Sequence, residues 1–151
     1  MRQYIGTKMV QAEPCIGVKK DPVTGDVIMQ DGYKVVYQDG YESWSPTEVF
    51  ETAYLPLMVN EQLRTDKPSI SQQMVDTFIA STEVQTLGEK CTVVRAVLRN
   101  GFEIVESSAC VSKENYDEAL GAEICMKKIK DKVWFLLGFL LQTAVNGVKG
   151  E

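Results

Sequence analysis

A chain of 151 residues with 44% apolar and 25% charged side chains has the make-up of a globular protein, long enough for one domain or two small modules. Its net charge of −5 argues against a duplex-DNA binder that works by broad phosphate neutralisation and leaves room for a local basic pocket. The absence of histidine excludes a Ser-His-Asp triad, a Cys-His dyad and any zinc site built on imidazole.

In chain order, Gln3 to Ala12 reads as a first strand, followed by a turn-rich segment from Lys19 to Gly25. Tyr33 to Gln38 and Tyr41 to Ser43 alternate about Asp39-Gly40, which predicts a two-residue type I′ turn with Gln38 opposite Tyr41. That register puts Tyr33, Val35 and Tyr37 on one face with Glu42 and Trp44. Ser45-Pro46-Thr47-Glu48 has the form of a capping box, with Ser45 as cap and Pro46 in the first turn, so a helix is expected to run to about Tyr54 and stop before Pro56.

The second half opens on a helix begun by Ser69-Ile70-Ser71-Gln72, with Ile70, Met74, Val75, Phe78 and Ile79 at helical spacing. Cys91 to Arg99 and Phe102 to Ala109 then form a hairpin about Asn100-Gly101, in a register that sets Arg99 opposite Phe102, Val97 opposite Ile104 and Arg95 opposite Glu106. Asn115 and Glu118 make a second capping box for a helix that reaches about Ala144. Its inward stripe reads as Ala119, Ala122, Met126, Ile129, Val133, Leu136, Leu137 and Leu140. The run Val133 to Leu141 is too short to cross a bilayer, which needs about 20 residues. It reads as a buried helix whose excess apolar surface calls for a partner subunit. The fold class expected is α+β: a small antiparallel sheet with a helix in residues 1–57, a linker over 58–68, and a helix, a β-hairpin and a long C-terminal helix in 69–151.

No phosphate loop, GxGxxG turn, GxSxG elbow or EF-hand is present, and no base can be placed beside Ser107-Ser108, so the sequence offers no catalytic residue. Neither a cofactor nor a metal site is indicated. Cys15, Cys91, Cys110 and Cys125 include no close pair, which fits reduced thiols in a cytosol. No secretory signal follows Arg2.

Binding finds more support. Arg95, Arg99 and Phe102 would combine cation and ring on one hairpin face; the same residues also suit a cross-strand Arg95–Glu106 pair and a core phenylalanine. Lys113, Asn115 and Tyr116 stand at a helix N-terminus, where free N–H groups favour phosphate and where plain capping serves equally. Trp44 with Tyr37 could stack a base or build the core of a small module. Lys127, Lys128, Lys130 and Lys132 suit either phosphates or a solvated face.

The segment written GYxVxYxDGYxSWSPxEVFExAY, introduced by Tyr4-Ile5-Gly6-Thr7-Lys8 and Glu13-Pro14, resembles a small N-terminal module of tailed-bacteriophage and prophage proteins. Ser69 to Gln142 resembles a small phage family of unassigned function through Asn100-Gly101-Phe102, Glu106-Ser107-Ser108-Ala109-Cys110-Val111, Asn115-Tyr116-Asp117 and Lys132-Val133-Trp134. The N-terminal module is similar to one carried by phage proteins that block Thoeris and CBASS immunity by sequestering cyclic nucleotide messengers. The best-known such sponge pairs it with a hairpin of two helices, whereas here a helix, a hairpin and a long helix follow. The resemblance implies an anti-defence protein of the host cytoplasm. It would be a homo-oligomer that holds a cyclic ADP-ribose isomer or a cyclic oligonucleotide without cleaving it, with no duplex nucleic acid and no membrane as partner. On this view Arg95, Arg99, Asn115 and Tyr116 contact phosphates, and Phe102 or Trp44 stacks a base. An accessory module that docks on a host protein is the alternative.

Overall fold

The computed structural model describes residues 1–149, and the chain divides into two compact units: Met1–Pro56 with the residues from Gln142 on, and Leu57–Leu141. Each carries a three-stranded antiparallel sheet, and the class is α+β.

In the first unit β1 (Gln11–Lys20), β2 (Val27–Val36) and β3 (Glu42–Pro46) pair in the order β1-β2-β3. The first strand therefore lies eight residues later than the Gln3 start that alternation suggested. Pro14 falls within it, opposite Tyr33. An edge strand accepts a proline because one row of its N–H groups has no ladder to serve.

The turn between β2 and β3 also differs from expectation. Tyr37 N donates to Tyr41 O at 2.9 Å and Gly40 N to Tyr37 O at 2.9 Å, so three residues close the loop, with only Gly40 left-handed at φ 86°. This is a type I turn ending in a glycine bulge. Asp39 Oδ1 accepts from Tyr41 N at 3.0 Å, which occupies the side chain locally. Lys34 now faces Trp44 and Val35 faces Ser43, one residue away from the register of a two-residue turn. Trp44 accordingly leaves the face of Tyr33 and Val35 and lies over Gly17 and Gly32, where a Cβ on either glycine would overlap its ring. Its Nε1 donates to Cys15 O at 3.0 Å.

The face of Tyr33 and the buried Val35 receives α1 (Thr47–Ala53). Tyr33 stacks on Phe50 at 4.3 Å between centroids and Phe50 on Tyr54 at 4.8 Å, while Tyr33 OH donates to Glu51 Oε1 at 2.8 Å. The helix starts one residue later than the capping box implied: Pro46 is its N-cap, no side chain caps it, and Ser45 belongs to β3 opposite Tyr33. Pairing to the sheet outweighs a cap worth about 1 kcal/mol.

β3 reaches only Gly32–Val36, so Ile16–Lys20 and Val27–Asp31 project as a two-stranded arm. Its tip is closed by Asp21 N donating to Asp26 O at 2.7 Å and by Asp21 Oδ1 accepting from Val23 N at 2.7 Å and Thr24 N at 3.2 Å. These donors hold the Asp21 carboxyl below its ordinary range. The arm displays Ile16, Val18, Val27 and Met29, all exposed, on the same side as α1.

The second unit begins with the segment expected to act as a linker. Met58 N donates to Met74 Sδ at 3.4 Å and Asn60 Nδ2 to Ile70 O at 2.9 Å, fastening it to α2 (Gln72–Phe78) and its approach. Ser71 caps α2 by accepting from Met74 N at 3.3 Å. The helix ends early, and Ile79–Leu87 is a strand, β4, that helical spacing had concealed. Its residues Thr82, Val84 and Thr86 carry the β-branched alternation of a sheet face.

β4, β5 (Cys91–Leu98) and β6 (Glu103–Ala109) form the second sheet in that order. The β5–β6 loop repeats the geometry of the first hairpin. Leu98 N donates to Phe102 O at 2.8 Å, Gly101 N to Leu98 O at 2.9 Å, Gly101 has φ 85°, and Asn100 Oδ1 accepts from Phe102 N at 3.1 Å. Register again shifts by one: Arg95 faces Val105, Ala96 faces Ile104 and Val97 faces Glu103, instead of the Arg95–Glu106 and Val97–Ile104 pairs expected. Thr92, Val94, Ala96, Leu98 and Ile104 are then buried together on one face.

That face is covered by α3 (Glu118–Asn146). The cap is Asp117, whose Oδ1 accepts from Leu120 N at 3.0 Å, and not Asn115, which ends a 3-10 turn over Lys113–Asn115. The buried stripe is Gly121, Cys125, Ile129, Val133 and Leu137, a row of every fourth residue that runs obliquely to the helix axis. Ile129, Val133 and Leu137 were expected there; Ala119 and Leu140 are exposed. Burial raises the Cys125 thiol pKa, and its Sγ faces Thr92 O at 3.8 Å.

Two expectations follow for this unit. A Cβ at Gly121 would overlap the side chain of Thr92, so Gly121→Ala should lower stability by about 1–3 kcal/mol, the cost of overpacking, although alanine is the better helix former. In a Thr92→Ala background that cost should shrink by at least about 0.5 kcal/mol, measured by urea denaturation; equal stability of Gly121→Ala and parent would contradict the packing. Asp76 accepts from Gln72 Nε2 at 3.0 Å and pairs with Lys130 at 3.0 Å, and these partners, Gln72 first, lower its pKa. A folded pKa below the unfolded value near 3.9 means the stabilisation is complete above that value and is lost as pH falls through the folded one. Asp76→Asn should therefore be less stable than parent at pH 7 and lose less stability between pH 5 and 2.5; parallel acid limbs would refute the linkage.

Candidate functional site

The shifted register decides what Arg95 can do. On the open face of the second sheet it pairs with Glu83 on β4, at 3.1 Å, and with Glu103 on β6. Hydrogen bonding to Glu103 is the foremost cause of its raised pKa. Glu106, which the two-residue turn would have set against Arg95, turns to α3 and pairs with Lys132.

The helix N-terminus is likewise supplied from within. Asp117 caps it, and Glu118 accepts from Thr86 Oγ1. Tyr116 OH lies 2.7 Å from Thr86 Oγ1 and 2.9 Å from the buried Thr92 Oγ1, so its hydroxyl ties β4 and β5 to the start of α3. Lys113 Nζ is 3.7 Å from Glu89, and Asn115 is exposed at the end of the 3-10 turn. The first-turn carboxylates occupy the position that would attract a phosphate.

Arg99 opens the three-residue loop and Phe102 follows it. Arg99 is exposed, with its backbone N–H donated to Phe78 O at 2.9 Å. Phe102 is 55% exposed and lines a recess of about 360 Å³ with Glu103, Ile104, Val105, Lys132, Phe135 and Leu136. Two rings, aliphatic walls, one cation and two carboxylates at its edge or beside it make this a surface for a flat apolar group with an attached charge. Trp44 lies in the other unit, on its glycine seat. The seven candidate residues thus fall at four places: Arg95 on the sheet's open face, Arg99 and Phe102 at the loop, Lys113 to Tyr116 before α3, and Trp44 in the first unit.

Of the other recess residues, the sequence marks Lys132 only as one of a lysine cluster and Leu136 only as part of the inward stripe, and does not single out Phe135. Their signal lay in α3 itself: Phe135 is two residues from both Val133 and Leu137 of the buried row, and so points away from the sheet. Of the lysine cluster, Lys128 donates to Ser107 O at 2.8 Å, covering the edge of β6, and Lys130 and Lys132 are paired with Asp76 and Glu106. Among the described residues no group of His, Cys, Asp and Glu could hold a metal ion, and no helix is long and apolar enough to cross a membrane.

No curated protein and no solved structure matches the chain. Residues 70–145, which contain α2, β4, β5, β6 and nearly all of α3, match the family described as phage protein (N4 Gp49/phage Sf6 gene 66). With just over half of its residues in that match, the chain belongs to this phage protein family.

Proposed function

We propose that this phage protein captures a cyclic nucleotide messenger of host immunity, a cyclic ADP-ribose isomer or a cyclic oligonucleotide, and holds it without cleavage. The observation that carries this reading is the recess bounded by Phe102, Phe135 and Lys132. A volume near 360 Å³ lies within the usual range of small-molecule sites, about 300–1,000 Å³, and suits one base with its phosphate. Stacking contributes about 1–3 kcal/mol per base, and Lys132 supplies the cation. Similarity of the N-terminal motif to modules of messenger-sequestering phage proteins supports the same conclusion. Four free cysteines accord with action in the reducing host cytoplasm.

Calorimetry against cyclic dinucleotides and cyclic ADP-ribose isomers tests the capture. One class should bind at micromolar concentration and be recovered intact after heat denaturation of the complex. Phe102→Ala should weaken it at least about fivefold, the lower bound for a stacked base. Glu106→Gln should strengthen it by releasing Lys132 to the phosphate. Absence of binding across the panel, or a cleaved product, defeats the proposal.

The projecting arm favours a second reading, docking on a host protein. Ile16, Val18, Val27 and Met29 form an exposed apolar strip on a two-stranded hairpin, an element of marginal stability by itself. Replacing Val18 and Met29 together by Asp should leave far-ultraviolet dichroism unchanged and abolish one-to-one binding to a host protein reconstituted from purified components. Retained binding by the double variant would remove the arm from consideration.

A further inference from the structure

β1 and β2 run together along their whole length, but β3 ends opposite Gly32 and leaves one edge of β2 bare from Val27 to Asp31. Backbone groups that point away from β1 along this stretch face no strand, and it contains neither the lysine nor the proline that commonly blunts an edge. Two other outer strands are better guarded: Pro14, Lys19 and Lys20 lie on β1, and Lys128 covers β6. Asp31, at the inner end of the bare stretch, lines a recess of about 220 Å³ with Pro14, Ile16, Tyr33 and Thr47, and no cation is among the lining residues. The same unit carries a segment with nothing to pair with. Residues 1–10 belong to no strand or helix, and Tyr4 and Ile5 are 87% and 96% exposed, so neither packs on its own fold. Lys8 fixes where this segment departs, its Nζ standing 4.5 Å over the Tyr37 ring.

We infer that residues Arg2 to Gly6 of one copy add as a strand to the bare edge of β2, Val27 to Asp31, in the next copy of the same chain. Their own edge is out of reach. Lys8 is held at Tyr37, and from there to Asp31 is about 20 Å along β2 at roughly 3.3 Å per residue. The residues from Lys8 back to Arg2 would be used up in arriving, with none left to lie along Val27 to Gln30. In the neighbouring copy, antiparallel pairing with Arg2 opposite Asp31 sets Tyr4 opposite Met29, Ile5 opposite Ile28 and Gly6 opposite Val27. Charge selects that register: residues 2–8 contain Arg2 and Lys8 and no acid, and Val27 to Asp31 contains Asp31 and no base. It aims the Arg2 guanidinium at the recess beside Tyr33. Tyr4 joins Met29 on one face of the arm and Ile5 covers Ile28 on the other, so both exposed side chains of the segment meet exposed apolar partners. A host strand would have to bring the same cation and the same two apolar residues at the same spacing. The added strand also supports the arm, because a two-stranded ribbon is marginal by itself. Donor and acceptor stand at opposite ends of the sheet, for Gln11 pairs with Val36 and Lys20 with Val27. A copy that gives at one end receives at the other, so the contact is head-to-tail and repeats as a ring or a filament.

The pairing needs neither a messenger nor a host protein, and its test uses the full chain alone. Sedimentation velocity from sub-micromolar to about 100 μM should show association that proceeds beyond a dimer. Tyr4→Asp together with Ile5→Asp should give a monomer with unchanged far-ultraviolet dichroism, because both side chains are exposed in their own copy. Arg2→Glu and Asp31→Arg should each raise Kd at least about threefold, since reversal replaces a cross-strand pair by a repulsion. An equimolar mixture of those two variants should regain the parental association, as each then meets its complement. A parent that stays monomeric throughout the range overturns the inference, as does an assembly that stops at two. Association left unchanged by the Tyr4 and Ile5 replacements, or charge variants that mixing does not rescue, overturn it equally. A monomeric parent that still binds a messenger would leave the capture proposal standing.

Discussion

A left-handed glycine at the third position of two hairpin loops determines which side chains each sheet buries. Gly40 and Gly101 have φ of 86° and 85°, and no other residue of either loop has a positive φ. Side chains alternate with a period of two, so the extra loop residue exchanges the faces of everything on the returning strand relative to a two-residue turn. In the first sheet this carries Trp44 to Gly17 and Gly32. In the second it places Ile104 beside Ala96 beneath α3 and leaves Arg95 between two glutamates on the open face.

The chemistry of the second unit follows from that exchange. Arg95 cannot reach Glu106 across the sheet, so Glu106 is available to Lys132, and the α3 lysine is brought to the rim occupied by Phe102 and Phe135. At the opposite end of the sheet the threonine-tyrosine contacts and the Asp117 cap consume the polar groups at the start of α3. The unit therefore presents a satisfied helix terminus at one end and exposed rings at the other.

Much of this architecture was legible. Dipeptides Asp39-Gly40 and Asn100-Gly101 marked both hairpins, Ser71 and the apolar spacing marked α2, and α3 was evident in nearly its full length. What eluded reading had local causes. An Asp-Gly or Asn-Gly pair serves a two-residue turn with both residues left-handed, or the end of a three-residue loop with the acid or amide accepting from the residue two on, and the choice between them lies in packing. For β5 and β6 the deciding quantity is whether Ile104 joins Leu98 inside, worth roughly 1.5–3 kcal/mol for a buried isoleucine. β4 was hidden because Phe78-Ile79 extends helical spacing into a strand, and β1 because Pro14 suggests a break where an edge strand tolerates it. Site residues were the least legible. Phe102 could be named from its loop, but Lys132 and Phe135 join it only once the oblique Gly121-to-Leu137 row orients α3.

Magnitudes indicate how the recess would discriminate among ligands under the proposed reading. Glu106 is mostly buried, its side chain 16% exposed, whereas Lys132 is 57% exposed. A partly solvated pair of this kind contributes about 0–1 kcal/mol, less than the roughly 1–3 kcal/mol of stacking a base on a ring. An inorganic anion brings only charge and must displace a carboxylate that stays in place, so its net gain is close to nothing. A neutral ring gains the stacking and leaves the ion pair intact. Only a ligand that presents a ring and a phosphate at a fixed separation collects both contributions, and a macrocycle that has already lost its torsional freedom does so at the smallest entropic cost.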